Sequence, residues 1–170
     1  MPKFIILEGT DSTGKSSLTK FLAKKLNAFY FHSSGHKSLH VGMQAHHQQI
    51  LDAVEVNLDN GHNVVLDRHW PSQQVYGATL RPGVGIYDIT RLRDHAHALG
   101  VTYVFCNKPN WGRYVETHKD HDHDVFHQLT SDQFNLIGLR YEMLFTDIDH
   151  VKYSIEEHGH DLNTFSERFT

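Results

Sequence analysis

Cysteine is almost missing from this chain: Cys106 is the one thiol in 170 residues. A lone cysteine excludes an internal disulfide and fits a reducing compartment. Long apolar runs are missing as well, so no stretch has the length to span a bilayer. A short strand and a loop occupy the N-terminus, so no signal peptide is expected and the cytoplasm is the default location. Positive charge is not in excess. The net charge is −4 with histidine neutral, which gives no general attraction to nucleic-acid polymers or anionic membranes. Any phosphate must be held by local positive groups. Proline is scarce, at four residues, no Gly/Pro/Ser-rich linker interrupts the chain, and no internal repeat is visible. A chain of this length can bury a sizeable core, so a single domain over 1–170 is expected.

What is present is concentrated at the start. Phe4-Ile5-Ile6-Leu7-Glu8 is a short apolar run, the pattern of a buried strand. Gly9-Thr10-Asp11-Ser12-Thr13-Gly14-Lys15-Ser16, followed by Ser17, fits the G-x-x-x-x-G-K-[ST] phosphate-binding loop. Leu18, Phe21, Leu22 and Leu26 then recur at helical spacing, with lysines on the other face. The chemistry needs this order. Gly9 and Gly14 let the backbone curl so that successive N–H groups face an anion. The helix brings the positive end of its dipole to the same place. Lys15 supplies a full charge between the outer phosphates, and the Ser16 hydroxyl is placed to ligate a bridging Mg2+ ion. ATP and Mg2+ are therefore the expected cofactors.

Further strands are expected at Ala28–His32, Asn63–Arg68, Val101–Cys106 and Val151–Ile155. Helices are expected from about Leu39 to Asn60, from Pro71 through Tyr76, from Tyr87 to Leu99, from Pro109 to about His118, from Ser131 to Phe145, and from Asp161 to Phe169. The 131–145 helix should bury Phe134, Ile137, Tyr141 and Leu144. Short apolar strands alternating with helices predict an α/β three-layer fold: a five-stranded parallel sheet with helices on both faces and ligands at the carboxyl ends of the strands. Segments 33–38 and 118–128 are candidate mobile segments. Asp67-Arg68 ends the third strand and should face the same cleft as the phosphate loop. A carboxylate there can hold Mg2+ through water, and an arginine can grip a phosphate bidentately.

At this point the sequence resembles the thymidylate kinases, a family of phosphate-loop nucleoside monophosphate kinases. Leu7 to Ser17 is similar to that family's E-G-x-D-x-x-G-K-S/T-[ST] loop. Asp67-Arg68-His69-Trp70-Pro71-Ser72-Gln73-Gln74-Val75-Tyr76 is similar to its D-R-Y-x-x-S-x-x-A-Y segment, in register at Asp, Arg, Ser and Tyr. Leu139-Arg140-Tyr141-Glu142-Met143-Leu144 resembles the helix after its lid. The resemblance implies transfer of the ATP γ-phosphoryl group to a deoxynucleoside monophosphate, strand order 2-3-1-4-5, and a lid over about 112–128. It implies that Lys15 and Ser16 hold the donor phosphates and metal, and that Glu8 supports the loop or the magnesium shell. Asp11 would meet the acceptor's 3′-hydroxyl and phosphate region. Arg68 would hold the acceptor phosphate, with Asp67 near magnesium and Ser72 and Tyr76 lining the acceptor pocket. A homodimer is common in the family.

The departures are specific. The family's Phe-Pro-x-Arg after the second strand is absent; His36 or Lys37 stands in part in its place. The thymine-stacking Phe and thymine-reading Arg are replaced by His46, His47, Gln48 and Gln49. Gly77 stands where a glutamine is expected, with Gln73 and Gln74 close by. Base specificity is therefore open: a purine or a relaxed range of deoxynucleotides fits, and the divergent base-reading positions suit a viral or mobile-element enzyme. Ser12 occupies the position of a loop arginine, so the positive charge on the transferring group should come from Arg113, Lys119 or Arg140. Trp70, beside Pro71, is a candidate to stack on a base. The sixteen histidines make net charge pH-sensitive. Four of them, at 118, 121, 123 and 127, alternate with aspartates, but a solvated lid explains them better than a metal site. Two other functions stay in view: a nucleoside kinase, with Glu8 or Asp11 as base, and a nucleotide-binding module without turnover.

Overall fold

The computed structural model describes residues 1–11, 13–33, 43–80, 88–107, 129–158 and 161–170. Five strands form one sheet: β1 (Phe4–Glu8), β2 (Phe29–His32), β3 (Val64–Asp67), β4 (Val101–Asn107) and β5 (His150–Ser154). The described helices are α1 (Lys15–Lys25), α2 (Met43–Asp59), α3 (Trp70–Leu80), α4 (Ile89–Ala98), α5 (Ser131–Thr146), α6 (Ile155–His158) and α7 (Leu162–Ser166), with a closing 3-10 turn at Glu167–Phe169. The order across the sheet is β2-β3-β1-β4-β5, as the resemblance implies, and every pairing is parallel.

Parallel pairing sends all carboxyl ends to one edge. Leu7 lies opposite Asp67, His32 opposite Asp67, and Glu8 opposite Phe105. Alternation of side chains along each strand divides the core in two. On one face Ile5, Leu7, Val104 and Cys106 pack with Leu18 and Leu22 of α1 and with Phe165 and Phe169. On the other, Phe4, Ile6, Leu66 and Phe105 pack with Leu51 and Val54 of α2, Trp70 of α3 and Ile137 and Tyr141 of α5. Burial pushes the Cys106 thiol up to about 12, so it is inert core.

Several boundaries differ from the periodicity. α3 continues to Leu80 rather than stopping at Tyr76, because Val75 is buried and Tyr76 and Leu80 pack against the core. Ile155 opens a helix instead of ending β5. The closing helix is split, with Asp161 outside it as the N-cap: its carboxylate accepts from the Thr164 N–H at 3.2 Å. α5 begins with a capping box in which Thr130 and Gln133 each accept from the other's backbone N–H. Its buried side includes Phe145, with Leu144 only partly buried. β2 is an edge strand whose Phe29 and Tyr30 stay exposed. The expected helix over 109–118, and residues 39–42 at the expected start of the second helix, lie outside the described residues.

Candidate functional site

The phosphate loop follows from two glycines. Gly9 has φ +139, and a Cβ there would stand 2.2 Å from the Cys106 carbonyl oxygen, so only glycine fits. Gly14 has φ +77 and caps α1 with no side-chain hydrogen bond to the first turn. The leading N–H groups of α1 are thus left for an anion. Thr13 braces the loop, its hydroxyl donating to the Thr10 carbonyl at 3.0 Å.

Asp67 meets α1 at this point. Its Oδ1 accepts from Lys15 Nζ at 2.7 Å, and its Oδ2 accepts from Ser16 Oγ at 2.8 Å. His32 Nδ1 lies 3.4 Å from the same Oδ2. Burial opposes ionisation of Asp67, but the His32 ring, the Lys15 ammonium and the Ser16 hydroxyl outweigh it and hold the carboxyl far below the usual range. A hydroxyl beside an ionised carboxylate is an all-oxygen donor set, the kind Mg2+ takes through one or two protein ligands. Ser16 and Asp67 therefore fit that ion.

The chain then turns sharply. Arg68 adopts φ 71, a left-handed conformation that costs a non-glycine residue about 1–2 kcal/mol. The turn is held by the Arg68 N–H donating to Leu7 O at 3.0 Å. One guanidinium arm donates to Ser72 Oγ and to Tyr141 OH, both at 3.2 Å; the other donates to Asp11 Oδ1 at 2.5 Å. The Tyr76 ring lies 5.1 Å from the guanidinium carbon, and its hydroxyl donates to Asp11 Oδ2 at 3.0 Å. Burial works against the Asp11 charge, yet Arg68 and Lys15 keep this carboxyl below its ordinary value. Burial and Asp11 push the Tyr76 phenol upward, so it remains a donor.

Glu8 lies beneath this pair, fully buried. Its Oε1 accepts from the His69 N–H at 2.6 Å; its Oε2 accepts from Ser72 Oγ at 2.6 Å and Tyr141 OH at 3.1 Å. Burial raises its pKa despite Arg68. Oε1 is thus taken by the turn ahead of α3 and Oε2 by hydroxyls of α3 and α5, so the residue supports the turn. The expected base-stacking place of Trp70 is corrected. The residue is 1% exposed, donates from Nε1 to Tyr103 OH at 2.9 Å and lies edge-on to that ring, so it packs the core beneath the cleft rather than stacking on a base. Gln73 is buried on the same helix. Arg140 donates to Thr79 Oγ1 at 3.0 Å, tying α5 to α3. Ser12, Lys37, Arg113, Lys119 and the His/Asp run lie outside the described residues.

Three contributors escaped the sequence reading. Tyr141 looked like one more apolar position of α5, yet its hydroxyl joins Glu8, Arg68 and Ser72. His69 is buried with Nε2 3.1 Å from the His47 carbonyl and Nδ1 unpartnered. Burial and the neighbouring His47 ring hold it down at about 3, so it is neutral. His32 was read as the plain end of a strand. The resemblance over Leu139 to Leu144 contains Tyr141 but gave it no role. Among the described residues, no cluster of three or more His, Cys, Asp or Glu could hold a metal, and no helix is long and apolar enough to cross a membrane.

No protein-family model and no curated protein matches the chain. Solved structures do. YorR from Bacillus subtilis, in complex with phosphorylated GDP, is similar at TM-score 0.72 and 18% identity, covering 98% of this chain and 93% of that one. Thymidylate kinase from Candida albicans, described as having broad substrate specificity, gives 0.65 at 14% identity, covering 99% and 89%. Deoxyadenosine kinase from M. mycoides, with dCMP and dCDP bound, gives 0.57 at 15%, covering 97% and 95%. At these identities the likeness establishes that the chain has the fold of nucleotide and nucleoside kinases.

Proposed function

We propose that the chain is an ATP-dependent, Mg2+-assisted kinase of deoxynucleoside monophosphates, with a dTMP-like acceptor favoured and base specificity relaxed. The observation that carries this reading is the joining of two sites by adjacent residues. Asp67 faces Lys15 and Ser16 of the phosphate loop, while Arg68 turns away to Asp11 and Tyr76. Donor and acceptor phosphates would thus meet across one peptide bond. In this scheme Gly9 to Ser17 cradle the donor phosphates, with Lys15 balancing their charge. Ser16 and Asp67 would hold Mg2+, which supplies charge neutralisation when bound. Arg68 would grip the acceptor phosphate, kept in aim by Ser72 and Tyr141, with Asp11, Gln73 and Tyr76 bordering the acceptor. Transfer between phosphates needs positioning and charge neutralisation, and no strong base.

The fold is shared with a deoxyadenosine kinase, and a nucleoside kinase would need a carboxylate able to take a hydroxyl proton. Both candidates are poor bases here. Glu8 is sealed under Ser72 and Tyr141. Asp11 is held as an ion by Arg68 and has low proton affinity. The test is ADP release from Mg–ATP with each of the four deoxynucleoside monophosphates and with thymidine. Turnover with at least one monophosphate and none with thymidine is expected. Turnover with thymidine alone would select the nucleoside kinase, and ATP binding without any turnover would select the binding module.

A further inference from the structure

We infer that His32 is a positioning residue of the phosphoryl-transfer centre: it keeps the Asp67 carboxylate oriented when nucleotide and metal draw off that group's other partners. The inference rests on the reading above. The Asp67 side chain is fully buried, and a buried carboxylate needs donors. Among the described residues its side-chain neighbours are Lys15, Ser16 and His32. In phosphoryl transfer two of these have other work, because Lys15 turns to the phosphates and the Ser16 hydroxyl to the metal. His32 alone can stay. Its Nδ1 is 3.4 Å from Oδ2, the oxygen that Ser16 also contacts.

The backbone puts it there. β2 and β3 run in register with His32 opposite Asp67. The next N–H, of Ser33, donates to the Asp67 carbonyl at 3.0 Å, and Ser33 Oγ lies 2.9 Å from His47 Nε2. The strand end is thus pinned on both sides. The imidazole itself is 46% exposed, and this 3.4 Å approach is its one polar contact among the described residues, so burial does not explain its place. A neutral ring with its proton on Nδ1 suffices to donate to Asp67, so the role is independent of ring protonation. Groups that orient a metal's carboxylate ligand typically change metal affinity by about 10–100-fold.

The experiment compares the parent with His32→Ala, His32→Asn and His32→Gln. Equilibrium binding of ATP is measured by calorimetry across a magnesium titration and again in EDTA, alongside turnover. In His32→Ala, the magnesium needed for half-maximal binding should rise about tenfold, with binding in EDTA unchanged. His32→Asn places an amide N–H near the Nδ1 position and should restore most of the loss. His32→Gln, whose amide sits at the Nε2 position, should not. Unchanged magnesium dependence in His32→Ala overturns the inference. So does equal weakening with and without magnesium, which marks a direct phosphate contact, and so does equal rescue by Asn and Gln. A parent that binds Mg–ATP but transfers nothing overturns the kinase reading and leaves the His32 comparison measurable. A parent that does not bind ATP overturns both.

Discussion

Glu8 and Asp67 end neighbouring strands, both fully buried, and their chemistry diverges. Asp67 points to the face covered by α1 and meets an ammonium, a hydroxyl and an imidazole. Glu8 points to the face covered by α3 and α5 and meets two hydroxyls and a backbone N–H. One carboxyl is pushed far down, the other up. Burial is common to both, so partner charge decides. A full positive charge in direct contact outweighs desolvation, whereas neutral donors do not. The carboxyl held low suits a metal, and the other, with all its donors from the surrounding scaffold, suits the turn it supports.

The comparison breaks first in activity. Lys15→Met removes the charge facing Asp67 and the donor phosphates, and turnover should fall by about 10³-fold, read as initial rates of ADP release. Arg68→Ala should cost about 10²–10³-fold by the same assay, and an unchanged rate in either variant would refute the proposed site. Stability gives the next test. Glu8→Leu leaves the His69 N–H without its acceptor and takes a partner from each of the Ser72 and Tyr141 hydroxyls, and should cost about 3 kcal/mol in urea unfolding. Glu8→Gln keeps an acceptor for the His69 N–H and offers an NH2 to hydroxyls that can turn to accept, and should cost under about 1.5 kcal/mol; a loss equal to that of Glu8→Leu would mean that both oxygens must accept.

Acidity sharpens the contrast. The depressed Asp67 contributes stability that is present above its unfolded value of 3.8 and is lost as pH falls below it. The raised Glu8 works oppositely: its contribution is complete below 4.5 and is lost as pH rises toward its folded value. His69 adds a separate slope. Between its unfolded 6.5 and its folded value of about 3, the unfolded chain takes up a proton that the folded chain refuses. Stability should therefore fall on acidification through that window, by about 1.4 kcal/mol per pH unit at the steepest. His69→Gln should remove that part of the slope in unfolding measured from pH 7 to pH 4. Smallest of all, Tyr141→Phe should cost about 1 kcal/mol, since Arg68 and Glu8 keep Ser72 as a partner.

The strands, their parallel pairing and the phosphate loop were legible because they are local patterns: apolar runs of strand length, helical spacing, and two glycines at a set distance. Asp67 and Arg68 were legible because a charged pair ending a buried strand has few other uses. The depth of a side chain was not legible. Trp70 follows Arg68 by two residues, but the first turn of α3 carries it under the sheet edge to Tyr103, where no base can reach.

By itself, then, the sequence determined which edge of the sheet gathers the candidate site residues, since parallel strands send every carboxyl end to one side. It also left the proposed phosphate contacts to local groups, since a net charge of −4 gives no general attraction. Tertiary structure alone decided which carboxyl is pushed down and which up, which tyrosine lends its hydroxyl to Arg68, and that an exposed histidine on an edge strand reaches Asp67. Those outcomes depend on contacts such as the 133-residue span from Glu8 to Tyr141. Ionisation follows from whatever neighbour such a contact brings within a few ångströms, and no short-range spacing in the chain encodes that.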